Sequence, residues 1–240
     1  MTTGTTETTI RGLLFDKDGT LIHYDASWLP VNRALAEMAA QGDQALERHL
    51  LIACGMDPDS GHVAADSLFA AGTAAEIAAG MVAAGSRVPL DHLTAEFDAL
   101  FTRSADFSVP VTDLAAFFAG LKGLGLKLGV ASSDNEASIL RLATRFGFVE
   151  HLDFVCGYDS GFGVKPEPGM VLGFCRATGL EPDMVAVVGD NNHDMHMGRA
   201  ARAGLTVAVL TGTGSRESLS AAADHCLDDI TGLPALIGYR

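Results

Sequence analysis

Two carboxylates leave the end of a buried apolar run in the stretch Leu13-Leu14-Phe15-Asp16-Lys17-Asp18-Gly19-Thr20-Leu21. Side chains alternate along a strand, so Asp16 and Asp18 are expected on one side with Lys17 facing away. Adjacent carboxylates repel unless one takes a proton or a cation lies between them, which suits a nucleophile paired with a proton donor. Gly19 lets the backbone turn sharply, and the Thr20 hydroxyl is available to orient an acid. The same string also reads as an ordinary polar turn after a strand.

Three further stretches have a matching character. In Leu128-Gly129-Val130-Ala131-Ser132-Ser133-Asp134 an apolar strand delivers the Ser132 hydroxyl, and the backbone amides that follow open a helix, which makes an anion site. Alternatively, Ser132 or Asp134 only caps that helix. Lys165, in Gly163-Val164-Lys165-Pro166-Glu167-Pro168, directly precedes a proline-started helix whose positive end disfavours a cation, so an anion is expected beside it. The chain's lysines are Lys17, Lys122, Lys127 and Lys165, and Lys165 is the best candidate for a buried counter-charge. Asp190 ends the run 185–189, and Asp194 follows on a loop or first helical turn. Such oxygen ligands suit magnesium, and Asp194 is also placed to stabilise the helix start. His193 and His196 sit among hard oxygen donors and read as surface residues rather than zinc ligands. Gly212 and Gly214 read as a turn after the last strand rather than a phosphate cradle.

The elements that must position these residues are five short apolar runs, 12–16, 126–132, 153–157, 184–189 and 205–210, read as buried parallel strands. Between the later runs lie helical spacings, Leu114, Phe117, Phe118 and Leu121, then Ile139, Leu142, Ala143 and Phe146. This alternation predicts an α/β fold with a parallel sheet and helices on both faces. More than a hundred residues separate the first two runs, too many for one crossover. The interval carries helical patterns at Leu35, Met38 and Ala39, at Leu46, Leu50 and Leu51 behind a cap at Asp43, and at Leu93, Phe97, Leu100 and Phe101. Its middle, 66–84, is rich in alanine. An all-helical domain over 24–107 is therefore expected inside a core of 1–23 and 108–240, with joins near 22–25 and 104–110.

The 240 residues, 48% of them hydrophobic, are enough for one large domain or two modest ones. A formal net charge of -14 argues against nucleic acid or an anionic membrane as partner. Cys54, Cys156, Cys175 and Cys226 are widely spaced without a Cys-x-x-Cys pair, which suggests reduced cytoplasmic thiols rather than disulfides or zinc. Residues 1–9 are threonine-rich, lack the features of a signal peptide and are expected to be a frayed tail. No apolar run approaches the ~20 residues of a membrane span.

The four motifs, each at a carboxyl strand end or the loop beyond, together resemble the haloacid dehalogenase superfamily. The resemblance is to its phosphatase branch with a helical cap inserted after the first motif, most nearly the phosphoglycolate phosphatase-like group. It runs from Gly12 to the C-terminus. It implies a Rossmann-like core with an inserted all-helical cap domain, and a magnesium-dependent phosphatase acting on a small phosphomonoester, 2-phosphoglycolate or similar. By the same resemblance Asp16 is the nucleophile and Asp18 the acid and base. Ser132, Ser133 and Lys165 bind phosphate. Asp16, the Asp18 backbone carbonyl and Asp190 hold magnesium, and Asp194 orients a metal-bound water or Lys165. His23 stands where relatives often carry an acid, and Ser133 where many carry asparagine.

Sister activities separate by single residues. Dehalogenation does not need Asp18, and phosphonate cleavage needs a lysine in the cap, where there is none between Lys17 and Lys122. A sugar phosphomutase shares all four motifs, and a non-catalytic interaction protein on the same fold is the remaining alternative. The partner is expected to be a small phosphate ester bound by a monomer or homodimer. Trp28, Arg33, Arg87 and Arg103 are the insert's side chains best suited to hold a leaving group.

Overall fold

The computed structural model describes residues 10–238. The threonine-rich segment 1–9 lies outside them. At the centre stands β1 (Gly12–Phe15), buried at every position. Next come α1 (Tyr24–Ala40), α2 (Gln44–Ala53), α3 (Leu68–Ala71), α4 (Ala74–Ala83) and α5 (Leu90–Ser104). The chain then alternates through α6 (Leu114–Gly123), β2 (Lys127–Ala131), α7 (Glu136–Arg145), β3 (Phe154–Cys156) and α8 (Gly169–Thr178). It closes with β4 (Val185–Gly189), α9 (Asn192–Ala200), β5 (Leu205–Val209), α10 (Arg216–Ala222), β6 (His225–Leu227) and α11 (Leu233–Leu236).

All strand pairs are parallel, in the order β3-β2-β1-β4-β5-β6. Both faces of the central strands are covered, so they are apolar throughout rather than alternating. Leu13 and Phe15 join one core cluster with Phe118 and Phe148, while Leu14 joins another with Phe174 and Val187. Phe15 is level with Val130 of β2 and Val188 of β4. Asp16 therefore emerges level with Ala131 and Gly189, and Ser132 and Asp190 stand one residue further out on either side.

The insert between β1 and β2 is helical, as its periodicity predicts. Leu93, Phe97 and Phe101 form the buried stripe of α5, and Asp43 caps α2 by accepting from the amides of Ala45 and Leu46. The alanine-rich middle divides at Gly72 into α3 and α4, and a Met56–Val63 bridge interrupts the helices. The two connecting segments pair with each other: Ile22 bridges Pro110, the His23 amide donates to the Val109 carbonyl at 2.9 Å and that of Val111 to Leu21 at 3.0 Å.

Two expectations change. A sixth strand, β6, lies at the sheet edge, only three residues long and partly exposed, too short for an apolar run to mark it. The helix after Lys165 begins at Gly169 rather than at Pro166. All four cysteines are free. No helix among the described residues is long and apolar enough to cross a membrane.

Candidate active site

The amide of Asp16 continues the β1–β4 ladder, donating to the Val188 carbonyl at 2.8 Å, and the Ser132 amide donates to Cys156 at 3.0 Å. Rigid strand ends thus fix both residues. Asp190, directly after β4, is gripped by the loop after β5: the Thr213 amide donates to its Oδ2 at 2.9 Å. A Cβ on Gly212 would lie 1.7 Å from that oxygen, so only glycine fits there. The Gly212–Gly214 turn supports a carboxylate rather than cradling a phosphate.

Asp194 serves two partners. Its Oδ2 accepts from the Asn191 amide at 3.2 Å, closing a capping box at the start of α9, and its Oδ1 lies 2.6 Å from Lys165 Nζ. Lys165 Nζ is also 2.5 Å from Asp16 Oδ1. The lysine is therefore held by two carboxylates, not by the end of a helix. Ser132 Oγ accepts from the Asp134 amide at 3.1 Å, and α7 is capped by Asn135 rather than by Ser132 or Asp134. Ser133, half-buried, lines the cavity between sheet and insert beside Ser132 and Lys165. That cavity has a volume of about 40 Å³, above the roughly 10–15 Å³ that a single water requires.

Lys17 departs from expectation. It does not face away from the acids: it is fully buried, with Nζ 2.8 Å from Asp18 Oδ1 and 2.8 Å from Asp134 Oδ2. Strand alternation does not reach it, because β1 ends at Phe15 and the chain turns at once, the Leu21 amide donating to the Lys17 carbonyl at 2.9 Å. Asp18 Oδ1 also accepts from Trp28 Nε1 at 2.6 Å. With both donors on Oδ1, a proton on this acid belongs on Oδ2. The Thr20 hydroxyl is buried without a hydrogen-bond partner and orients no acid. Of the four side chains expected to meet a leaving group, Trp28 lines the cavity, whereas Arg33, Arg87 and Arg103 do not. Arg33 reaches the Pro58 carbonyl, and Arg87 and Arg103 are exposed. His196 is exposed as expected, but His193 is half-buried and lines the cavity.

A family model for haloacid dehalogenase-like hydrolases matches residues 10–202. The chain belongs to this family. It is 29% identical over 113 residues to a phosphoglycolate phosphatase of Chromobacterium violaceum, covering 47% of this chain and 50% of that protein. The aligned part is thus about half the length of that curated relative. A phosphoglycolate phosphatase of Pectobacterium atrosepticum is 27% identical over 237 residues, 97% of this chain and 94% of that protein. The fold matches the crystal structure of a predicted phosphoglycolate phosphatase from Haemophilus somnus, with TM-score 0.71 and 19% identity over 97% of this chain and 99% of that one.

In this haloacid dehalogenase-like hydrolase, burial dominates the acids. It pushes Asp16 up to about 6, against the pull of Lys165 and with repulsion from Asp194. It likewise pushes Asp18 up to about 6, against the pull of Lys17. Asp190 stands well above the ordinary carboxylate range through burial, then repulsion by Asp16 and Asp194. Oxygens of Asp16, Asp190 and Asp194 all lie within 4.8 Å of one another. Among the described residues, Asp16, Asp18, Asp134, Asp190 and Asp194 around the cavity face only Lys17 and Lys165, an excess of buried negative charge. A divalent cation with a preference for oxygen ligands fits this donor set. Sequence reasoning missed the role of Asp134, whose only signal was its place two residues after Ser132, and that of Lys17, a lysine between two acids at an apolar strand exit.

Proposed function

We propose that the chain is a magnesium-dependent phosphatase that hydrolyses a small phosphomonoester through a phosphorylated Asp16. The observation that carries this reading is the placement of Asp16, Ser132, Lys165 and Asp190 around one cavity on three adjacent strand ends and one loop, with Asp18 beside them. The core is taken as 1–23 and 108–240, and the helices of 24–107 act as a cap that excludes water and admits the leaving group.

An Asp16 oxygen attacks phosphorus and the ester P–O bond breaks, its electron pair passing to the leaving oxygen, which takes a proton from Asp18. Water then attacks the phosphorylated Asp16 and gives its proton to Asp18, and cleavage of the aspartyl P–O bond releases inorganic phosphate. Ser132, Ser133 and Lys165 hold the phosphoryl oxygens, where charge accumulates in the transition state. Asp194 fixes Lys165. Asp16, Asp190 and the Asp18 carbonyl would hold magnesium, which supplies charge neutralisation at the transferring group. Relatives named as phosphoglycolate phosphatases bring 2-phosphoglycolate into the substrate panel. The enzyme is cytoplasmic in this reading.

The test is phosphate release from a panel of small phosphomonoesters with magnesium and with chelator. Magnesium-dependent release is expected, and its absence across the whole panel overturns the reading. Asp16→Asn removes nucleophile and ligand together and is expected to lower turnover by about a thousandfold or more, with the circular dichroism spectrum unchanged.

A further inference from the structure

Resting on the phosphatase reading, we infer that the leaving group is an uncharged alcohol, so that monophosphates of neutral alcohols are the substrates and esters with a second anionic group, 2-phosphoglycolate among them, are disfavoured. The cavity has two sides. Toward the sheet lie the carboxylates and Lys165. Toward the insert lie Tyr24, Trp28, Phe69, Ile77 and Phe101, with the small residues Ala70, Ala71 and Gly72 between them.

Among the described residues, Lys165 is the only lysine or arginine that lines this cavity, and two carboxylates already hold it. A substrate carboxylate on the insert side would have no lysine or arginine to meet there, and would face a sheet side whose five acids together with the bound phosphoryl group still outweigh Lys17, Lys165 and one divalent cation in charge.

Hydrogen-bond donors on that wall are already committed. The Tyr24 hydroxyl donates to the Phe69 carbonyl at 2.6 Å and accepts from Asn32 Nδ2 at 3.2 Å. The Trp28 N–H is given to Asp18. Trp28 packs edge-on against Phe101, ring centroids 4.8 Å apart, and stacks with Tyr24 at 6.3 Å, so the wall presents ring faces and aliphatic groups. The positive end of α4 is no substitute, because Glu76 carries its own carboxylate to the Thr73 amide at 2.8 Å. What remains is His193, whose Nδ1 is buried without a partner and can make one hydrogen bond to a hydroxyl or carbonyl.

The test is a matched pair, 2-phosphoglycolate and its amide, which share size and ester bond and differ in one charge. Phosphate release with magnesium is expected to give the amide at least a tenfold higher kcat/KM. Ala71→Arg, which places a guanidinium on a half-exposed part of the wall, is expected to move that ratio at least tenfold toward 2-phosphoglycolate. A wild-type ratio under tenfold, or one favouring the carboxylate, overturns the inference and leaves the phosphatase reading intact. Release from neither member nor any ester of the panel overturns both. If Ala71→Arg fails to fold, the wild-type ratio still decides.

Discussion

Lys165 and Lys17 are chemically alike and placed alike, each buried between two carboxylates at the carboxyl edge of the sheet. In both, burial alone would lower the pKa, yet flanking acids raise it, Asp16 and Asp194 for Lys165 and Asp134 and Asp18 for Lys17. The difference is access. Lys165 lines the cavity and can exchange a carboxylate for a phosphoryl oxygen. Lys17 has no exposed side-chain surface and does not line the cavity; it also lies 5.4 Å from the centre of the Trp28 ring. One lysine is placed to act on a ligand and the other to hold the acid Asp18 in position.

The sharpest way to break this comparison is Lys17→Met. It strands Asp18 and Asp134 without a counter-charge, a loss of about 3–5 kcal/mol for a buried pair, and the melting temperature is expected to fall whether or not magnesium is present. An unchanged melting temperature would mean that the pair holds nothing.

Lys165→Ala is expected to cost about a hundredfold or more in kcat/KM. Its stability loss should shrink on adding magnesium, since Asp16 belongs to the carboxylate cluster that fits a divalent cation and Asp134 does not. Equal recovery of both variants in melting scans would erase the distinction.

Titration gives a smaller effect of definite sign. Asp16 and Asp18 are raised to about 6, from 3.8 in the unfolded chain. The folded state then binds more protons between these values, so their contribution to stability is full below about 4 and lost as pH rises through 6. The chelated protein is expected to melt a few degrees higher at pH 5 than at pH 7, with magnesium flattening the slope. A rise toward pH 7 in chelator would refute this.

The mildest case is the mirror image of the two lysine sites. Asp153 lies between Lys122 and Lys127 and accepts from the Leu128 amide at 2.9 Å, away from the cavity. Asp153→Asn is expected to cost about 1 kcal/mol in denaturant titration and leave kcat/KM unchanged.

Much of this was legible in the sequence because strands and insert are long periodic segments. The apolar runs located β1, β2, β3, β4 and β5, and the spacing of Leu93, Phe97 and Phe101 located α5. What escaped depends on contacts between residues distant in the chain. The partnership of Lys17 with Asp134 spans β1 and β2, and that of Trp28 with Asp18 joins insert to core. Three candidate arginines stay outside the cavity and are exposed to solvent, which composition alone does not reveal.

The close fit of Gly212 against Asp190 also limits what the lineage of this protein can explore. A saturation-mutagenesis map scored by activity should show position 212 as intolerant as the acid it touches, although glycine contributes no functional group. Ala71, half-buried on the wall opposite, is expected to tolerate substitution more readily. Descendants of this sequence would therefore diversify in substrate while inheriting an invariant glycine.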